Sequence, residues 1–399
     1  MNVDQKSSHL RRGSGAGSRF AAAIVGAMIA LLTGCTCSTQ PTGTGSDGST
    51  NTDEAAVVQA PGVAVDVAPT PEPLSGTVNL AIWSNYVTNE TLASFTTATG
   101  VTVNVSNYSS NEELLAKLQA GGTGIDVAVP SDYMVQIMQN LQLIEVLDRT
   151  QISNVAGLDP TKMGKPFDPE NRWSVPYGWT VTGIGINRDV YKGPLASWKD
   201  LLTLPELNGK VSLLDDAREA LGAALRTVGH GINTVDPAQL EMGRKALADA
   251  RGQIRAFTSE PRDLLVRGEL AAAQIYSSDA LQARRETGGR IEFVVPQEGG
   301  TMAIDNLVIP RGAPNPRAAH ALINHLISAE SNVTYVTSIL AGPVVLKTME
   351  LLTPELRDNR GLFPPAEIMA KCEMVTDIGE ATKLWDRAWT EVKARGGRR

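Results

Sequence analysis

From about residue 76 onward, short strand-patterned runs alternate with helix-patterned segments, and that order commits the chain to an α/β architecture. Val78 to Trp83 reads as a strand, Glu90 to Thr99 has helical spacing, and Thr102 to Tyr108 is again strand-like. A helix is expected over Asn111 to Gln119. It is followed by the continuous apolar run Ile125 to Val129, of the kind buried on both faces in parallel sheets. Gly183 to Asn187, Lys210 to Leu214, Ala271 to Tyr276, Ile291 to Val295 and Leu307 to Ile309 continue the strand series. Helices are expected over Ala217 to Val228, Pro237 to Arg251, Asp279 to Arg285 and Arg317 to Ser328. A body of more than 300 residues is too long for one ordinary core and implies two domains.

Several strands run straight into polar or aromatic residues before the next helix. In open α/β sheets ligands collect beyond the carboxyl ends of the strands. Here those ends carry Trp83-Ser84-Asn85-Tyr86, Ser131-Asp132-Tyr133, Asp215-Asp216-Ala217-Arg218-Glu219 and Tyr276-Ser277-Ser278-Asp279. Asp305 adds a carboxylate among Ala303, Ile304, Leu307 and Val308, and such a group must be paired, exposed or functional, because burying it alone costs several kcal/mol. Each of the others also has an ordinary reading. Asp216-x-x-Glu219 at a helix start is a capping-box pattern, Ser131 and Asp279 are plausible N-caps, and the aromatics could close the ends of a core. Taken as a set, carboxylates accept charge-assisted hydrogen bonds from ammonium groups, while Trp and Tyr faces offer cation–π contacts and cover methylenes. An extended polyamine needs both. Helix N-termini beside Asp216, Glu219 and Asp279 would favour their ionised forms.

The front of the chain says where it works. Arg11, Arg12 and Arg19 precede the uncharged run Phe20 to Leu32, the basic-then-apolar order of an export signal, and the run is too short to span a bilayer. Leu32-Thr33-Gly34-Cys35 resembles a bacterial lipobox, which makes residues 1–34 a signal peptide and Cys35 the lipidated mature N-terminus. Residues 35–75, rich in Ser, Thr, Gly, Pro and Asp, read as a disordered tether, for which flexible-chain scaling gives a reach of roughly 35 Å. The expected location is therefore the extracytoplasmic face of a cell membrane, with a lipid as the sole membrane anchor. Three cysteines do not make a disulfide framework, and Cys372 reads as a packed or free thiol. The formal charge of −7 includes a basic leader, so the rest is more acidic still, which argues against nucleic acid as a partner.

The body from about Gly76 to the C-terminus resembles the spermidine/putrescine-binding proteins of bacterial ABC importers. The likeness runs through Leu80-Ala81-Ile82-Trp83-Ser84-Asn85-Tyr86, Val129-Pro130-Ser131-Asp132-Tyr133, Lys165-Pro166-Phe167-Asp168-Pro169 and Leu214-Asp215-Asp216-Ala217-Arg218-Glu219. Pro296-Gln297-Glu298-Gly299-Gly300, Asp305 and the tail Arg387 to Lys393 continue it. The resemblance implies a two-lobe periplasmic-binding-protein fold of type II, with crossover hinge strands and a ligand cleft between the lobes. It places residues 76–181 with 304–350 in one lobe and 182–303 with 351–396 in the other. It also implies ligand-binding roles for Trp83, Asn85, Tyr86, Ser131, Tyr133, Asp216, Glu219, Tyr276, Asp279 and Asp305, with no cofactor, no metal and a membrane permease as partner. A closing two-lobe binder of this kind can work as a monomer. The sequence departs from the family pattern at Ala303, where a large aromatic is usual, at Asn85, where some members have an acid, and at Val375, where a glutamine would lie. The loop around Ala341-Gly342-Pro343 lacks the usual aromatic as well. Those departures admit another organic cation or an amino-acid-like solute in the same fold. A carboxylate-based secreted hydrolase is the alternative from a different class. It lacks support from any Gly-x-Ser-x-Gly elbow, His-Glu-x-x-His pair or phosphate-binding Gly-rich loop, and His320 and His325 do not share a helix face well.

Overall fold

The computed structural model describes residues 73–394. The signal peptide, the lipidation residue Cys35 and nearly all of the tether lie outside those residues. Strand β1 (Thr77–Trp83) is flanked by two parallel neighbours, β2 (Thr102–Tyr108) and β3 (Val127–Ala128), in the order β2-β1-β3. The connecting helices are α1 (Asn89–Thr99) and α2 (Asn111–Ala120). Thr88 and Ser110 cap them, each accepting a backbone N–H three residues on, and Gly100 ends α1 in the left-handed conformation that favours glycine. Helix α3 (Asp132–Asn140) follows β3.

The strand that organises the molecule is β4 (Val175–Asn187), thirteen residues long and buried throughout. Its first half pairs antiparallel with β9 (Met302–Leu307), and its second half pairs with β7 (Ala272–Tyr276) and β8 (Ile291–Val294). The second sheet has the order β6-β5-β7-β4-β8, with β5 (Val211–Leu213) and β6 (Ile254–Phe257) parallel to each other. Backbone bonds between Ala128 and Val308 tie β3 to the segment after β9. Hence β4 and β9 connect the two sheets. Near the crossover Gly300 is required, because a Cβ there would lie 2.0 Å from the Thr182 carbonyl oxygen.

Helix α4 (Trp198–Thr203), α5 (Ala217–Thr227), α6 (Pro237–Asp249), α7 (Pro261–Val266) and α8 (Ser277–Glu286) cover the second sheet. Trp198, Leu221, Leu225, Leu247 and the C-terminal helix residue Trp385 form its main core. On the first sheet, α9 (Pro316–Leu326) and α10 (Ala329–Ile339) pack Leu322, Ile323, Tyr335 and Val336 against Leu80, Ile82 and Val127. The buried apolar residues form four clusters, two against each sheet, with β4 and β9 running between the sheets.

Three strand bounds need correction. The expected strand Leu307 to Ile309 instead starts at Met302, Ile125 to Val129 contracts to β3, and Gly183 to Asn187 is only the second half of β4. Strand β6 and helices α3, α4, α7 and α10 are not among the elements expected from the sequence.

Candidate functional site

Asp305 sits on β9, where Ser131 opposes it in an isolated antiparallel bridge. Its carboxylate accepts a hydrogen bond from the Tyr86 hydroxyl at 2.6 Å on one oxygen and from the Ser131 hydroxyl at 2.8 Å on the other. Burial pushes the Asp305 carboxyl up, and those two donors pull it back. Ser131 does stand at the start of α3, but its side chain makes no cap bond. The hydroxyl goes to Asp305 instead. Tyr86 is fixed from behind by the Tyr177 hydroxyl, which donates to its backbone carbonyl at 3.1 Å. The rings of Tyr177 and Tyr335 lie 6.0 and 5.4 Å from its own. Trp83 packs on Tyr108 with ring centroids 4.7 Å apart.

Asp132, next to Ser131, is buried and donates nothing. It accepts the backbone N–H of Ile304, and burial pushes its carboxyl up to about 7. Tyr133 follows it and is held by the first turn of α2. Asn111 donates from its amide to the Tyr133 hydroxyl and accepts the Ser131 N–H, while the Tyr133 hydroxyl donates to Glu112.

The second group of acids belongs to the other sheet. Asp216 is the N-cap of α5, accepting the N–H groups of Arg218 and Glu219. Glu219 does not complete a capping box. It accepts from the Thr182 hydroxyl on β4 at 3.0 Å and from the Gln274 amide at 3.3 Å. Burial first, and then the Asp216 charge, push Glu219 up to about 8 against the Thr182 and Thr301 hydroxyls. Asp216 is also raised by burial despite its two backbone donors. Asp279 lies in the first turn of α8 without capping it, the N-cap position being Tyr276, and burial pushes it up to about 6 while Arg262 pulls it down. The expectation that helix N-termini keep these acids ionised is overturned for Glu219, pushed up to about 8, whereas Asp279 at about 6 stays mostly ionised at neutral pH. A dipole contribution of about 0.3–1 kcal/mol is outweighed by desolvation of several kcal/mol.

Electrostatics shows which of these groups meet. The Tyr276 hydroxyl is raised by burial and by the charges of Glu219, Asp216 and Asp279, with Tyr133 also facing it. Asp216 also raises Tyr133 across the gap between the sheets. Tyr133, Asp216, Glu219 and Tyr276 thus act on one another electrostatically, and Asp305 on β9 bonds Tyr86 and Ser131. Asn85 is set apart. With φ of 56° it lines a hollow of about 510 Å³ with Val87, Thr88, Asn89, Arg262, Gln282, Ser338 and Ile339, and none of the acids borders that hollow. Ala341 is buried, and its loop packs on the Trp179 indole, whose N–H donates to the Pro343 carbonyl. Sequence reasoning missed Tyr177, Tyr335, Asn111, Asp132 and Thr182. Only Asp132 carried a signal, as an acid inside a singled-out segment.

A family model for bacterial extracellular solute-binding proteins matches residues 90–364. The chain belongs to that family. The spermidine/putrescine-binding periplasmic protein of Escherichia coli is 36% identical over 315 residues, covering 78% of this chain and 90% of the relative. The putrescine/cadaverine-binding protein of Pseudomonas aeruginosa is 32% identical over 328 residues, covering 78% of this chain and 92% of the relative. Among solved structures, a spermidine/putrescine ABC transporter substrate-binding protein from Streptococcus pneumoniae superposes with a TM-score of 0.74 at 29% identity. That match covers 80% of this chain and 99% of the other. The architecture of this solute-binding protein is thus the α/β two-lobe periplasmic-binding-protein fold.

Proposed function

We propose that this solute-binding protein captures a polyamine of the putrescine or spermidine class between its lobes and hands it to an ABC permease, without catalysis. One observation carries the reading. Among the described residues, Asp216, Glu219 and Asp305 are bonded to neutral donors alone, and tyrosine rings border them. Glu219 and Asp305 are buried and Asp216 is exposed. Although Arg218 and Arg226 act on Asp216 and Glu219 through space, no protein cation among the described residues bonds these carboxylates, which leaves them free to accept ammonium groups. In this reading Asp305, Tyr86 and Ser131 receive one terminal amine. Asp216, Glu219, Tyr133, Tyr276 and Asp279 receive the other charges, and Trp83 covers methylenes. The lobes are 76–181 with 304–350 and 182–303 with 351–396, and Leu352 and Leu362 of the last segment reach back to the first core. Cys35 supplies the lipid anchor on the extracytoplasmic face, and the protein acts as a monomer.

Isothermal calorimetry of the purified protein with putrescine, cadaverine, spermidine and spermine tests this, with micromolar or tighter binding expected for at least one. No heat with any of the four overturns it. A different organic cation or amino-acid-like solute is favoured by one feature, the small Ala303 on the same strand face as Asp305, two residues away. A thermal-shift panel in which such a ligand outcompetes all four polyamines would establish that reading instead.

A further inference from the structure

The clusters on the two sheets are also joined through helix α8, about one turn beyond Asp279. Helix α8 commits Ala280 and Ala283 to the core of the second sheet, while Leu281 is 4% exposed and packs into the core of the first. From the same helix the Gln282 amide donates to the Ile339 carbonyl at 2.8 Å. The Arg285 guanidinium donates to the Thr337 and Ser338 carbonyls at 3.0 and 2.9 Å. These acceptors are last-turn carbonyls of α10, which have no partner inside their own helix. A cation at that end also meets the negative pole of the helix dipole. The turn that follows places Leu340 at φ of 61°, a left-handed conformation that a branched side chain adopts reluctantly. Three bonds converge on the turn just before it. Beside this contact lies the hollow of about 510 Å³, bordered by Asn85, Val87, Thr88 and Asn89 on one side and Arg262 and Gln282 on the other. The contact thus comprises three hydrogen bonds and the buried Leu281 side chain.

We propose that Gln282 and Arg285 form a latch that holds the lobes together and sets the closed fraction of the protein, acting on affinity as positioning residues without touching ligand. The proposal rests on the reading of the protein as a closing polyamine binder. Ligand enters the open form and closure follows, so a latch that favours closure adds to affinity, and weakening it weakens binding even though every ligand contact is kept. Closure forms after encounter, so the loss should fall on dissociation.

The test compares the wild-type protein with a Gln282→Leu/Arg285→Ala double variant and with Arg285→Lys, which keeps the charge but not the two-pronged bond. With spermidine and putrescine as probes, the double variant should bind roughly tenfold more weakly, with a faster dissociation rate, an unchanged association rate and Arg285→Lys in between. Hydrogen exchange of the ligand-free proteins should show faster exchange in segments 277–286 and 335–342 of the double variant, with protection elsewhere kept. Wild-type affinity and dissociation rate in the double variant would overturn the latch. If the double variant does not fold, Gln282→Leu and Arg285→Lys, measured singly, decide by the same readouts. If the wild-type protein binds neither probe, the polyamine reading falls, and the hydrogen exchange of ligand-free protein still decides the latch, which unchanged exchange overturns.

Discussion

At Asp305 burial and hydrogen bonding act in opposite directions, and the balance leaves a carboxylate with one neutral donor on each oxygen. Each oxygen keeps a second acceptor site. Removing the charge while keeping the shape should therefore cost more than removing either donor. Asp305→Asn should lose about 2–5 kcal/mol of polyamine affinity, the usual cost of taking one partner from a desolvated charge pair. Ser131→Ala, which deletes one hydroxyl and keeps the charge, should lose only about 1 kcal/mol. Calorimetry of the two variants with the same ligand checks both, and equal losses would show that charge is not what Asp305 contributes. Asp305 was legible in the sequence because a lone acid in an apolar strand has few benign explanations. Tyr177 and Tyr335 were not, because a tyrosine inside an apolar run reads as core. Here both are core as well as supports for Tyr86.

Among the helices, α3 ends in a way that its sequence does not advertise. Gln142 donates its N–H to the Gln139 carbonyl and Leu143 to the Met138 carbonyl, the paired bonds of a Schellman motif, with Gln142 at φ of 57°. Glycine is the residue such a position favours, and Gln142 is exposed, so nothing is lost from a core by trimming it. Gln142→Gly should raise stability by about 0.5–1 kcal/mol, and Gln142→Val should lower it, as read from chemical denaturation midpoints. A fall in stability with glycine would mean that the glutamine side chain holds that turn. Elements with clean caps and clear periods, such as α1, α2, α5 and α9, were legible. The first half of β4 was not, because Pro176 and Gly178 break its pattern, and the structure absorbs them in a register shift against β9. Helix α10 escaped because Ser331, Asn332, Thr334, Thr337 and Ser338 read as loop chemistry. In the fold Ser331 and Asn332 are buried, and Asn332 accepts from the Thr348 hydroxyl and the Val345 N–H.

On the scale of the whole molecule, the sequence located Glu219 and Asp279 but not the upward pull of burial on them, because it shows their helix positions and not their depth. It did not single out Asp132 as a site residue at all. Burial holds Asp132 at about 7, Glu219 at about 8 and Asp279 at about 6, all above ordinary carboxylate values. Each therefore keeps its proton in the folded, ligand-free protein at a pH where the unfolded chain has lost it. The folded state then binds more protons than the unfolded one between roughly pH 4 and pH 8, and stability contributed by these groups is lost as pH rises through that window. An ammonium ligand reverses the preference, since it stabilises the charged form and expels the protons. Two outcomes are expected. The melting temperature of ligand-free protein should fall from pH 5 to pH 8 less steeply in Glu219→Gln than in the wild type. Spermidine titrations at pH 7 should release protons, giving observed enthalpies that differ between phosphate and Tris in proportion to the buffers' ionisation heats, with a smaller difference in Glu219→Gln. Identical enthalpies in the two buffers would mean that the carboxylates are already ionised before the ligand arrives, and that burial does not set the charge of this cleft.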